Sequence, residues 1–216
     1  MDHFPIFLAM QDRHVVLSGG GDAALAKLRL LLKTTARISV YAPDPAPEIL
    51  RWADEGKLRL HQRPLVRGDT LCASLFYAAD EDAGEDARTA TIARAEGALV
   101  NVVDNLQDSA FITPAIVDRD PVTIAIGTEG AAPVLARAIK ADLEERLPAT
   151  LGTLARIGKG FRKMAEALPF GRARRDFWRD YYFNAGPRAI RAGVDEVGPH
   201  LDALLEDHLT RSARAG

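Results

Sequence analysis

His14–Lys33, HVVLSGGGDAALAKLRLLLK, decides the fold. Val15, Val16 and Leu17 form a short apolar run rich in β-branched residues. Gly19, Gly20 and Gly21 follow, and Ala24, Leu25, Leu28, Leu31 and Leu32 then recur at helical spacing. The pattern predicts a strand, a tight turn and a helix. Within it, Gly19-Gly20-Gly21-Asp22-Ala23-Ala24 fits G-x-G-x-x-A, the dinucleotide fingerprint. There the first glycine permits the turn, Gly21 lets a pyrophosphate approach the backbone, and Ala24 allows close helix packing. Phosphate then sits on the helix N-terminus near Asp22. A plain glycine-rich turn is the alternative reading.

Downstream, the alternation repeats. Arg37–Tyr41 (RISVY) reads as a strand, Pro43 to Pro47 as a turn, and Glu48 to Glu55 as a short helix ended by Gly56. Leu58 to His61, Leu71 to Ala78 and Ala98 to Val103 read as further strands, with an alanine-rich helix from Asp82 to Glu96 before the last. Strands alternating with helices require crossovers, and crossovers bury both faces of a parallel sheet. The expectation is an α/β chain: a Rossmann-like, doubly wound domain over residues 1–113.

After Asp104 the pattern changes. Ala115 to Val117 and Val122 to Ile126 are apolar runs joined by Asp118, Arg119, Asp120 and Pro121, a hairpin signal. Pro133 to Leu147 is an amphipathic helix with a first-turn proline, stopped by Pro148. A lone two-stranded ribbon is marginal, so pairing with a second copy is expected, with 114–148 as dimerisation region. From Thr150 to His208 only helical patterns remain, broken at Pro169-Phe170-Gly171, Gly186-Pro187 and Gly198-Pro199, which gives a helical domain over 149–216.

Composition excludes several classes. With 47% hydrophobic and 27% charged residues the chain is globular, and a formal charge of −2 rules out a generally basic nucleic-acid binder. One cysteine, Cys72, forbids an internal disulfide and multi-cysteine metal patterns, and fits a cytoplasmic setting. No stretch approaches the ~18 to 20 apolar residues that span a bilayer. The N-terminus has neither the basic head nor the unbroken apolar run of a signal peptide. The five histidines show no metal-ligand spacing, and His200 and His208 read as surface residues.

Three further features carry chemistry. The carboxylate that holds an adenosine ribose is expected at the end of the second strand, where Asp44 follows Pro43; a solvated turn aspartate is the alternative. No arginine lies at that strand end, which favours NAD over NADP. Asp104 ends the fifth strand, where carboxyl ends line the ligand crevice, and could move a proton there; a helix cap or turn residue is the alternative. Between Arg156 and Arg179 eight cationic residues stand against Glu166 and Asp176. That surface, Arg174 and Arg175 included, could bind a polycarboxylate, or be a solvated face. Phe177, Trp178, Tyr181, Tyr182 and Phe183 beside it read as core or dimer contacts.

MDHFPIFL, SGGGDAALAKLRLLL, NVVDN, SAFITPAIVDRDPVTIAIGTEGAAPVLARAIKADLEERLP and RRDFWRDYYFN together resemble the precorrin-2 dehydrogenase and sirohydrochlorin ferrochelatase module of the siroheme synthase family, nearly end to end. The resemblance implies NAD-dependent oxidation of precorrin-2 to sirohydrochlorin and, in bifunctional members, insertion of the substrate Fe2+ to give siroheme. It implies a homodimer, a role for Asp104 in both activities, and nucleotide contacts at Asp22, Ala23, Pro43 and Asp44. Thr128 stands where some members carry a phosphorylated serine. Longer members continue into a methyltransferase. The sequence after Leu209 has no counterpart of it, so TRSARAG reads either as an interdomain linker or as the end of a short form. A dehydrogenase without chelatase activity and a non-catalytic NAD-sensing dimer are the competing readings.

Overall fold

Apolar strands buried on both faces have to lie inside a layered sheet, and they do. In a computed structural model, which describes residues 1–215, five parallel strands take the order β3-β2-β1-β4-β5. They are β1 (His14–Ser18), β2 (Arg37–Tyr41), β3 (Arg59–His61), β4 (Leu75–Ala78) and β5 (Leu99–Val102). The register pairs Val15 with Ile38 on one side and with Leu75 on the other. Helices α1 (Asp22–Leu31) and α2 (Pro47–Asp54) cover one face, burying Leu25, Leu28, Ile49 and Trp52 against Val15, Leu17 and Val40. Helix α3 (Ala83–Ala95) covers the other, where Ala90 and Ala93 meet Val16, Phe76 and Val100. Its N-terminus is capped by Asp82, whose side chain accepts from the Glu85 N–H at 2.8 Å.

The fourth strand is shorter than the sequence pattern indicates. Leu71 to Ser74 form a turn in which Cys72 takes φ 62°, and the Ser74 N–H donates to the His14 carbonyl at 2.8 Å. Strand geometry starts where pairing with β1 starts, and Leu71 is left exposed.

The chain divides into two compact units, Met1–Thr113 and the part from Pro114 onward. The second opens with an antiparallel hairpin, β6 (Ala115–Arg119) and β7 (Val122–Ile126). It continues through α4 (Pro133–Arg146), α5 (Leu151–Ala165), α6 (Arg172–Asp180), α7 (Gly186–Ala192) and α8 (Val197–Ala215). Leu154, Phe161, Leu168, Phe177, Tyr181 and Leu201 form its core.

Two expectations about this unit are corrected. Gly186-Pro187 does not break the helix: a π segment, Tyr181–Ala185, joins α6 to α7, and such a wide turn accommodates a proline nitrogen that cannot donate. The break comes instead at Gly193, φ 154°, and Gly198-Pro199 lie in the first turn of α8. His208 is not a surface residue. Its ring meets the edge of Phe177 at 5.7 Å between centroids, and Nε2 lies 3.4 Å from Asp180 Oδ2. Among the described residues no helix is long and apolar enough to cross a membrane.

Candidate active site

In the order β3-β2-β1-β4-β5 the winding reverses beside β1, and a crevice opens at the carboxyl ends of β1 and β4. The glycine turn fills the end of β1. Gly19 takes φ 131°, and a Cβ there would overlap the Ala79 carbonyl oxygen after β4, so no other residue fits without moving the strand end. A Cβ on Gly20 would lie 2.7 Å from the Asp44 carbonyl oxygen, and the Ala46 N–H donates to the Gly20 carbonyl at 2.9 Å. The exposed Pro43–Asp44 turn thus packs on the glycine turn. Asp22 and Ala23 open α1. The structure therefore brings together Gly19, Gly20, Gly21, Asp22, Ala23, Pro43 and Asp44.

Glu81 is a site residue that the sequence reading missed. It follows β4 with φ 64°, a left-handed conformation uncommon outside glycine. Its Oε1 accepts from the Ala23 N–H at 2.9 Å and lies 2.7 Å from where a Gly21 Cβ would stand. A carboxylate oxygen thus occupies the N-terminus of α1, the place the fingerprint reserves for a phosphate oxygen. The seat accepts an anionic oxygen on a backbone donor, which is the chemistry a dinucleotide pyrophosphate requires, so these residues fit the group. The signal was present in the run AADED, acidic residues directly after an apolar strand at the crevice.

Asp104 follows β5 with φ 59°. Its turn is pinned: Ser109 Oγ accepts from the Val102 N–H at 2.9 Å and donates to the Asn105 carbonyl at 2.6 Å, and Asn105 and Asp108 exchange hydrogen bonds at 2.7 and 3.1 Å. Asp104 lines a cleft of about 760 Å³ whose wall also carries Ala23, Glu81 and Asp86. Lys27, one helical turn beyond Ala23, is half-buried; burial lowers its ammonium pKa while the charge of Asp104 opposes that shift. Burial also raises the carboxyls of Asp80 and Asp86. Asp80 accepts from Ser18 Oγ at 2.6 Å, and Asp86 accepts from the Asp80 N–H at 2.9 Å, so both are committed to holding the β4 turn.

An arginine does stand at the end of β2, contrary to the sequence reading. Parallel pairing sets Tyr41 beside His61, their rings stack at 4.5 Å, and Arg63 follows with its guanidinium 5.0 Å from the Tyr41 centroid. Asp69 engages that guanidinium through two contacts of 2.7 Å, and the hydrogen bonding from Arg63 holds the Asp69 carboxyl below its usual range.

In the second unit the basic segment is only partly available. Arg174 donates to the Leu168 and Glu166 carbonyls, both at 2.8 Å, and so clamps the turn before α6, whereas Arg175 is exposed. Arg156 pairs with Asp120 at 2.8 Å, and Arg172 and Arg179 with Asp176 at 3.5 and 2.9 Å. Lys159, Arg162 and Lys163 lie exposed along α5. Phe177 and Tyr181 are core, and Phe183 is exposed. Thr128 is half-buried in the turn before α4, its carbonyl accepting from the Ala131 N–H at 2.9 Å. Among the described residues, no group of three or more His, Cys, Asp or Glu is placed to hold a metal ion.

The family model described as "Putative NAD(P)-binding" matches residues 6–115, and "Sirohaem synthase dimerisation region" matches residues 150–208, on the helices that follow the hairpin. A siroheme synthase of Chromobacterium violaceum is 40% identical over 91% of this chain and 44% of its own length. Another, of Methylococcus capsulatus, is 42% identical over 82% of the chain and 38% of its own. The chain therefore spans less than half the length of these curated relatives. A solved structure of SirC, precorrin-2 dehydrogenase, is similar with TM-score 0.73 at 22% identity, covering 94% of this chain and 100% of that one, a likeness of fold. With a glycine turn on a parallel sheet, followed by the matched dimerisation helices, the chain belongs to the siroheme synthase family, corresponding to its NAD(P)-binding domain and dimerisation region.

Proposed function

We propose that this chain oxidises precorrin-2 to sirohydrochlorin with NAD, precorrin-2 and NAD+ giving sirohydrochlorin, NADH and a proton. The observation that carries the proposal is that one cleft is walled by Ala23, at the start of α1 just after the glycine turn, and by Asp104, from the end of β5. Gly19, Gly20, Gly21, Asp22 and Ala23 would hold the pyrophosphate, and Pro43 and Asp44 the adenosine ribose. The bound dinucleotide supplies the hydride acceptor. Asp104 takes the proton that the macrocycle must also lose, from a turn too well tied to drift. The test is to mix protein, NAD and precorrin-2 and follow absorbance. Sirohydrochlorin and NADH should rise together. A tetrapyrrole spectrum left untouched would support an NAD-sensing module instead.

Insertion of Fe2+ into sirohydrochlorin, with iron as substrate, is the second activity we assign. It requires loss of pyrrole protons, for which Asp104 is exposed on the same cleft. An anaerobic assay of sirohydrochlorin with Fe2+ separates a bifunctional chain from a dehydrogenase alone. Lys159, Arg162, Lys163 and Arg175 are the cations whose exposure suits a polycarboxylate tetrapyrrole, while Arg174 serves its own turn. Thr128 is the position where the family's modification would fall.

The chain assembles as a homodimer through the hairpin and the helices that follow it. On α4, Val134, Leu135 and Ile139 are exposed by 75, 54 and 38%, a row of apolar side chains that a second copy would cover. Light scattering at micromolar concentration should give twice the chain mass, and Leu135→Glu combined with Ile139→Glu should shift it towards the monomer.

NAD is preferred because Asp69 keeps Arg63 occupied. Asp69→Asn removes the charge that engages the guanidinium, and NADPH should then bind several-fold more tightly while NADH affinity is unchanged. Equal responses to the two dinucleotides would remove Arg63 from the selectivity.

A further inference from the structure

We propose that Glu81 is an internal competitor for the dinucleotide pyrophosphate and sets which anions the glycine turn accepts, an inference that rests on the dinucleotide reading of that turn. Its Oε1 takes the Ala23 N–H at 2.9 Å and stands over Gly21, so bound phosphate oxygens and the Glu81 carboxylate need the same donor and the same space. Both are anionic, which makes simultaneous occupancy unfavourable beyond the overlap of volume. The side chain reaches that position from a backbone held at φ 64°, in the left-handed region uncommon outside glycine. A dinucleotide must therefore displace Glu81, and its apparent affinity falls by the fraction of molecules in which the seat is already open. A ligand with further contacts, such as an adenosine ribose on the Pro43–Asp44 turn, can overcome the competitor. A bare phosphate cannot, so Glu81 acts as a selectivity filter against small anions.

The sign of the mutational effect separates this role from the obvious alternative, in which Glu81 swings out and accepts a hydrogen bond from a ribose hydroxyl. Glu81→Gly removes the carboxylate and suits the left-handed φ, so its fold is protected. Glu81→Gln keeps the length and removes the charge. NADH binding, followed by fluorescence titration, should tighten about 3- to 10-fold in both variants. Inorganic phosphate, which should leave the thermal midpoint of the starting protein nearly unchanged, should raise that of Glu81→Gly. Weaker NADH binding in both variants would make Glu81 a ribose ligand, and unchanged binding would make it a bystander; either result overturns the proposal. If the unmodified protein bound no NADH, the dinucleotide reading itself would fail.

Discussion

Asp104→Asn is expected to slow precorrin-2 oxidation by about 10²- to 10⁴-fold, the usual cost of losing a positioned general base. The substitution is unusually clean here. Asp104 holds φ 59°, and asparagine is the residue outside glycine that best tolerates the left-handed region, so the turn after β5 should keep its shape. Ser109 pins that turn through the Val102 N–H and the Asn105 carbonyl, neither of which the substitution touches. NADH affinity should stay near its starting value, because the donors proposed for the pyrophosphate lie at the glycine turn. Steady-state rates together with a separate NADH titration make the check. A wild-type rate in the variant would return Asp104 to a structural turn residue. The proton would then have to go to Asp80, to Asp108 or to water, and the first two are already engaged by Ser18 and Asn105.

The parallel, doubly wound sheet was legible because each of its strands announces itself through local composition and strands alternating with helices require crossovers; the order β3-β2-β1-β4-β5 comes from the structure. The placement of Asp104 and the glycines at the carboxyl edge was legible for a related reason: in such a sheet, position in the chain fixes which residues reach it. What escaped depends on pairing between distant segments. Arg63 reaches the end of β2 only through the register that sets Tyr41 beside His61, so the residues next to Tyr41 in sequence carry no sign of it. Glu81 becomes a site residue because β4 lies next to β1, which brings AADED against the glycine turn. Arg174 and His208 misled for the opposite reason. Charge on the one and helical spacing on the other suggest solvated residues, but the guanidinium closes a turn on backbone carbonyls, and the imidazole packs edge-on against Phe177 in the helical core. The π segment left no periodicity signal, because one wide turn inside a long helical path barely shifts the pattern.

Gly21→Asp is expected to abolish measurable NADH binding while leaving the fold intact, a loss of about 10²- to 10³-fold from setting like charges together. The two outer glycines of the turn differ in what they protect. At Gly19 any side chain would drive into the Ala79 carbonyl from φ 131°, so a substitution there should lower the thermal midpoint and reveal little about binding. At Gly21 the backbone is at φ −92° and ψ −158°, an extended conformation open to any residue, and the neighbour that a Cβ would meet is the movable end of Glu81. Gly21 is also the N-cap of α1, where it makes no side-chain hydrogen bond, and aspartate is among the best N-caps. The new carboxylate should therefore settle on the helix N-terminus, push Glu81 aside and hold the thermal midpoint steady or raise it. It would occupy the seat from a far shorter tether than Glu81, and dinucleotide could no longer displace it. Circular dichroism melting and NADH fluorescence titration on the same preparation check both halves. Wild-type NADH affinity in a folded Gly21→Asp protein would mean that the pyrophosphate does not rest on this turn, and the dinucleotide would then have to be placed elsewhere along the crevice.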